Sequence, residues 1–115
     1  MSSRVIVRLH DIADEIAQIR DATAAITFDD FERRWVILRA VQHGLLIIGE
    51  AAKNLPPEVT AKHPDIPWRR MIALGNFLRH EYATIDNRLI WDIVVNHLPM
   101  LDRVIRDLLA EADEL

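Results

Sequence analysis

The chain is predicted to be all-α, a four- or five-helix up-and-down bundle. Apolar residues step by three and four along almost its whole length, which is the spacing of one helix face. No segment alternates apolar and polar residues as a half-buried strand does. The prolines punctuate rather than scatter: Pro56, Pro57, Pro64 and Pro67 fall together, and Pro99 stands alone.

The first helix carries Val5, Leu9, Ile12, Ile16, Ile19 and Ile26, with Thr23 filling the one gap in the stripe. A second helix starts near Thr27, with Asp29 and Asp30 in its first turn, where a negative charge favours the helix dipole. Its stripe runs Phe28, Phe31, Trp35, Leu38, Val41, Leu45, Ile48, Ala52 and Leu55 as one continuous helix. Around Leu45–Ile48 it is apolar on nearly all sides, so it is the central helix or meets a partner on its second face. Pro56 and Pro57 stop it. After a loop over 57–67, Pro67 opens a third helix reaching to about Tyr82. Asp86 is a good N-cap for a fourth, which turns Ile90, Ile93, Val94, Leu98, Leu101, Val104, Ile105 and Leu108 inward. Pro99 should kink it or split it in two.

The 115 residues fit one domain, and half of them are hydrophobic. A core this small gains from pairing with a second copy. With no cysteine, disulfides and thiolate metal sites are excluded. The N-terminus has no signal-like apolar run, and no apolar stretch approaches the roughly 18 residues of a membrane span, so a soluble cytoplasmic protein away from membranes is expected. The net charge of −4 argues against broad nucleic-acid affinity, but the charge is unevenly spread. Residues 33–88 hold nine basic and five acidic side chains, whereas each flanking segment has a net charge of −4. That excess is either a set of solvated helix faces or a local basic cleft for phosphates.

The stretch Gly75-Asn-Phe-Leu-Arg-His-Glu-Tyr-Ala-Thr-Ile-Asp86 gathers an arginine, a histidine, a glutamate and a tyrosine in consecutive positions. At ~100° per residue, Met71, Leu74, Leu78 and Tyr82 form a core face, and Asn76, Arg79 and His80 share another sector with Gly75 at its edge. Zinc-protease chemistry is excluded because His80-Glu81-Tyr82-Ala83-Thr84 lacks its second histidine. His10, His43, His63 and His97 have no tight ligand spacing, and no metal or other cofactor is expected. Two readings stay open on spacing alone. In one, Tyr82 fills the core and His80 bonds a carbonyl at a helix end. In the other, a cation, an amide and an imidazole face one phosphate diester. Glu50, inside an apolar stretch, is either a partly exposed acid or the partner of a basic residue across the bundle.

Ile72-Ala-Leu-Gly-Asn-Phe-Leu-Arg-His-Glu-Tyr82, followed by Ile85-Asp86 and Trp91, resembles the HEPN domain of the HepT-like (DUF86) family. Ile48-Gly-Glu-Ala-Ala-Lys53 resembles that family's second-helix signature, and Trp68-Arg-Arg-Met71 the entry to its third helix. The resemblance covers nearly the whole chain. It implies an all-helical homodimer and a metal-independent ribonuclease toxin that cleaves RNA and is held in check by a nucleotidyltransferase antitoxin. The family motif is arginine, four residues, histidine, one residue, tyrosine. His80 and Tyr82 match the last two, and Tyr82 is the implied acceptor of AMP.

The family arginine falls on Gly75. Arg79, one turn later and ~40° around the helix, is expected to lay its guanidinium back over the space above Gly75 and replace it. Arg69 or Arg70 could otherwise hold the phosphate, with Asn76 orienting it or His80. The alternative is a non-catalytic helical partner that presents Tyr82 or a small substrate to the nucleotidyltransferase. Transesterification needs a base and an acid, and one His80 per chain supplies one group. A two-fold dimer would supply both, which places the expected site at the interface.

Overall fold

The computed structural model describes residues 1–113 and is helical with no strand among them. Helix α1 (Ser3–Thr23) is capped by Ser2, whose side chain accepts from the Val5 amide at 3.3 Å. As far as Thr23 the predicted stripe is its buried face, Val5, Leu9, Ile12, Ile16, Ile19 and Thr23; Ile26, placed on the same helix by its spacing, lies beyond its end and is half-buried. Thr23 satisfies its hydroxyl by donating to the Ile19 carbonyl at 2.8 Å, so a polar residue closes the stripe without an unmet hydrogen bond.

Helix α2 (Phe28–Arg33) begins in a capping box. The Asp30 amide donates to the Thr27 hydroxyl at 3.2 Å, and the Thr27 amide donates to the Asp30 carboxylate at 3.1 Å. The Thr27 backbone bond, then the Thr27 side chain, holds the Asp30 carboxyl below the usual carboxylate range. The expected continuous helix then breaks. Arg34 adopts an extended conformation (φ −91°, ψ 92°), and helix α3 starts afresh at Trp35 and runs to Lys53. The aromatic cluster gives a reason. Phe31 is fully buried, 5.1 Å from Trp91 between ring centroids, and Phe28 meets the same indole edge-on at 6.2 Å. Turning both phenylalanines onto Trp91 sets α2 off the line of α3, and Trp35, placed on the inner stripe by its spacing, is instead 65% exposed.

Helix α3 packs mainly against α5 and α1. Contrary to expectation, it is long and apolar enough to cross a membrane, the one such helix among the described residues. Its central position accounts for that composition, since Val41, Gln42, Gly44, Leu45, Ile48, Gly49, Ala51 and Ala52 are all buried.

The proline-rich stretch contains one helical turn, α4 (Pro57–Thr60). It is tied down rather than loose: Val59 and Ile66 are buried, and the Trp68 indole N–H is shared between the Thr60 carbonyl at 3.1 Å and the His63 carbonyl at 3.0 Å. Helix α5 (Trp68–Glu81) follows, then a 3₁₀ turn over Tyr82–Thr84. Asp86 caps helix α6 (Asn87–Asp92), accepting from the Arg88 amide at 2.9 Å. The expected split of the last helix lies just before Pro99, as a π turn over Ile93–His97 leading into helix α7 (Leu98–Asp113). Proline has no N–H to donate and its ring crowds the carbonyl four residues back, and the wider turn relieves both. One hydrophobic cluster extends from Val5 to Leu108 and takes residues from every helix, α1 to α7.

Candidate functional site

Helices α3 and α5 run antiparallel: Gly49 faces Gly75, and further along Gln42 donates to the Tyr82 carbonyl at 3.3 Å. The crossing is close enough to exclude side chains. A Cβ on Gly75 would lie 3.2 Å from the Gly49 Cα and 3.3 Å from the Leu46 carbonyl oxygen. A Cβ on Gly49 would lie 2.8 Å from the Met71 carbonyl oxygen. Position 75 therefore faces α3 and is buried. The space expected to receive the Arg79 guanidinium is filled by the α3 backbone.

Arg79 instead reaches across to α3 and pairs with Glu50, with the arginine side chain 44% and the glutamate 32% exposed. Glu50 fits both of its readings, a partly exposed acid and the partner of a basic residue across the bundle. Asn76 and His80, one turn apart on α5, are both exposed, and neither side chain has a hydrogen-bond partner among the described residues. The carbonyl bond considered for His80 is absent there. Tyr82 does not fill the core. Helix α5 ends at Glu81, the 3₁₀ turn swings the ring outward, and it is 45% exposed.

What the ring meets is Arg39 of α3, whose guanidinium carbon sits 4.3 Å from the Tyr82 ring centroid and 5.7 Å from that of Trp35. Trp35, Arg39, Gln42, His43, Leu46, Leu78, Arg79 and Tyr82 line one groove of about 380 Å³. Arg79 and Tyr82 thus share a site, while Asn76 and His80 are not among its lining residues. Arg69 and Arg70 are exposed in the first turn of α5. Ten residues separate Arg70 from His80, roughly 15 Å along a helix axis, so within one protomer they do not converge. Of the α3 residues in this groove, Arg39 belongs to the basic excess over 33–88 that a phosphate cleft would use, Trp35 reads from its spacing as core, and Gln42 and His43 carry no site signal of their own. The signal is the spacing of 35, 39, 42 or 43, and 46 along one helix face beside the inner stripe, and it is masked because Trp35 reads as part of that stripe. Among the described residues no three His, Asp or Glu side chains gather as a metal site requires.

Residues 12–108, nearly the whole of this helical unit, match the family described as "Ribonuclease HepT-like". The chain belongs to the HepT-like family. It is similar to "Putative RNase MJ0127" of Methanocaldococcus jannaschii, with 38% identity over 107 residues, 90% of this chain and 88% of that one. It is similar to "Putative RNase TTE0752" of Caldanaerobacter subterraneus, with 35% identity over 101 residues, 88% of this chain and 90% of the relative. "Probable ribonuclease HepT" of Thermococcus cleftensis is 38% identical over 97 residues, 81% of this chain and 84% of the other. No solved structure matches the chain significantly. For a HepT-like protein the glycine at position 75 has a local reason, since the helix crossing leaves no room there for a side chain.

Proposed function

We propose that this chain is a single-domain, metal-independent endoribonuclease, the toxin half of a toxin–antitoxin pair, acting on cytoplasmic RNA as a homodimer. The family and the ribonuclease names of its relatives support the activity. The observation that carries it to particular residues is the exposed edge of α5, where Asn76 and His80 stand unpartnered beside Arg79. Phe77, exposed on the same stretch, favours covering this edge with a second copy.

In the dimer, one His80 takes the proton from the RNA 2′-hydroxyl and the 2′-oxygen attacks the adjacent phosphorus. The other His80 protonates the departing 5′-oxygen. The products are a 2′,3′-cyclic phosphate and a 5′-hydroxyl. Histidine suits both roles because its side chain type titrates near ~6.5. Arg79, steadied by Glu50, supports the pentacoordinate phosphate, Asn76 orients it, and Arg69 and Arg70 reach RNA phosphates further along α5. A nucleotidyltransferase antitoxin silences the enzyme by attaching AMP to Tyr82, which adds bulk and negative charge where RNA phosphate must sit.

The test compares wild-type protein with His80→Ala on single-stranded RNA in EDTA. Cyclic-phosphate product from the wild type and none from the variant is the expected outcome, and equal traces from both refute catalysis. A specific observation favours a second reading. With Gly75 closed against α3 and Arg79 neutralised by Glu50, the motif position offers no free guanidinium. The chain would then be a non-catalytic partner that presents Tyr82 to the nucleotidyltransferase. That reading predicts no RNA turnover from any form, with adenylate incorporation abolished by Tyr82→Phe.

A further inference from the structure

We infer that the groove between α3 and the end of α5 is a nucleotide subsite, with Trp35 as the platform for a base and Arg39 as the clamp on its phosphate. The lining contains two guanidinium groups and no carboxylate. Of the two, Arg79 is engaged by Glu50, whereas no carboxylate among the described residues pairs with Arg39. Arg39 is held only by the faces of Tyr82 and Trp35, a placement that orients a planar cation while leaving its N–H edge available to an anion. Trp35 presents a largely bare indole at the groove's mouth. Exposed aromatic faces beside arginine planes are what unstacked bases lie on.

The floor supports the same use. Leu46 and Leu78 give an apolar base, and His43 adds an imidazole at the side. Gln42 is 5% exposed and ties the groove's two walls together through its bond to the Tyr82 carbonyl. A volume of about 380 Å³ is small for a ligand pocket, at the lower end of the roughly 300–1,000 Å³ range, and suits one nucleotide rather than a folded RNA element. The occupant is a nucleoside monophosphate unit. It is either one residue of an RNA strand or an adenylate, free or attached to Tyr82 on the groove's rim.

The inference rests on the reading that this chain handles RNA or an adenylate, but it is measured without turnover. The full chain is titrated calorimetrically at low salt with AMP, with inorganic phosphate, and with a 2′-O-methyl tetranucleotide that cannot supply a 2′-hydroxyl nucleophile. Both nucleotide ligands should bind more tightly than phosphate. Trp35→Ala and Arg39→Ala should each weaken them about tenfold or more, as loss of one stacked base does. Arg39→Lys, which keeps the charge but not the plane, should fall between. A tetranucleotide preferred over AMP identifies an RNA residue as the occupant, and the reverse preference identifies an adenylate. Equal affinities in wild type and variants, no binding at all, or phosphate binding as tightly as AMP would each overturn the subsite. So would a Trp35→Ala variant that changes only the sedimentation of the protein, since the indole would then be a contact between copies. Failure of RNA cleavage with intact, Arg39-dependent binding would leave the subsite standing and count only against the catalytic reading.

Discussion

Replacing Gly49 by alanine isolates the α3–α5 crossing. On an open helix face the substitution stabilises, because alanine is preferred over glycine in a helix interior by about 1 kcal/mol. Here the new Cβ would lie 2.8 Å from the Met71 carbonyl oxygen and 3.0 Å from the Gly75 Cα. Both are backbone atoms, so no side-chain rotation relieves the overlap and the helices must part. Overpacking of this kind costs about 1–3 kcal/mol, and the rigidity of the obstacle puts Gly49 at the upper end. Subtracting the propensity gain leaves a net loss of about 2 kcal/mol, or roughly 8 °C in melting temperature for a domain near 100 residues. Gly75→Ala should lose less, since its closest approaches are 3.2 and 3.3 Å. The double variant should lose less than the sum by about 0.5 kcal/mol or more, because helices already parted by one methyl accommodate the second. Urea and thermal unfolding followed by circular dichroism read all three. A Gly49→Ala protein more stable than wild type would falsify the close crossing and, with it, the account of why position 75 is a glycine.

Phe31→Ala should destabilise by about 3–5 kcal/mol in urea titrations, because it empties a fully buried site and removes a ring packed on Trp91. Glu50→Gln should barely change stability, as expected for a partly exposed ion pair. It should nonetheless tighten binding of the uncleavable RNA oligomer by freeing Arg79, and an unchanged affinity would remove Arg79 from the phosphate contacts. Asp30 has a lowered folded-state pKa, from its hydrogen bonds with Thr27. Its contribution is therefore complete above the unfolded carboxylate pKa near ~4 and is lost as pH falls through the folded value. Acid unfolding of Asp30→Asn should accordingly show a shallower slope below about pH 4 than wild type. Glu111, held down by its hydrogen bond from Lys62 and then by the lysine's charge, adds to the same limb with the same sign.

Helix positions were legible where apolar spacing was uninterrupted and both ends carried a chemical signal. The α1 stripe, the Thr27 start and the Asp86 cap all rest on side-chain chemistry that is local in sequence. The break at Arg34 was not legible. No glycine or proline marks it, the stripe passes through it unbroken, and its cause is the distant indole of Trp91. That single misplacement put Trp35 in the core and hid the groove that it opens. Tyr82 went the same way, since its place on the helical wheel held only if α5 continued past Glu81. Gly49 and Gly75 carried the least signal of all. Twenty-six positions apart, they read as an ordinary helix residue and a lost arginine, and only the packing of two helices reveals them as one notch.

The π turn ahead of Pro99 also sets how the final third of the chain is phased. Ile90, Val94 and Leu98 are all buried although they are spaced four apart, a step that drifts ~40° each time on a regular helix. The wide turn absorbs that drift like a vernier, keeping Trp91 on the Phe28–Phe31 pair while Leu101, Ile105 and Leu108 stay inward. Deleting one residue between 93 and 97 would let the stretch close into regular helix with α6 and α7 still in phase, since seven steps turn through ~700°, close to two full turns; forcing all eight steps into regular geometry would instead dial the indole and the caps around it ~80° out of register.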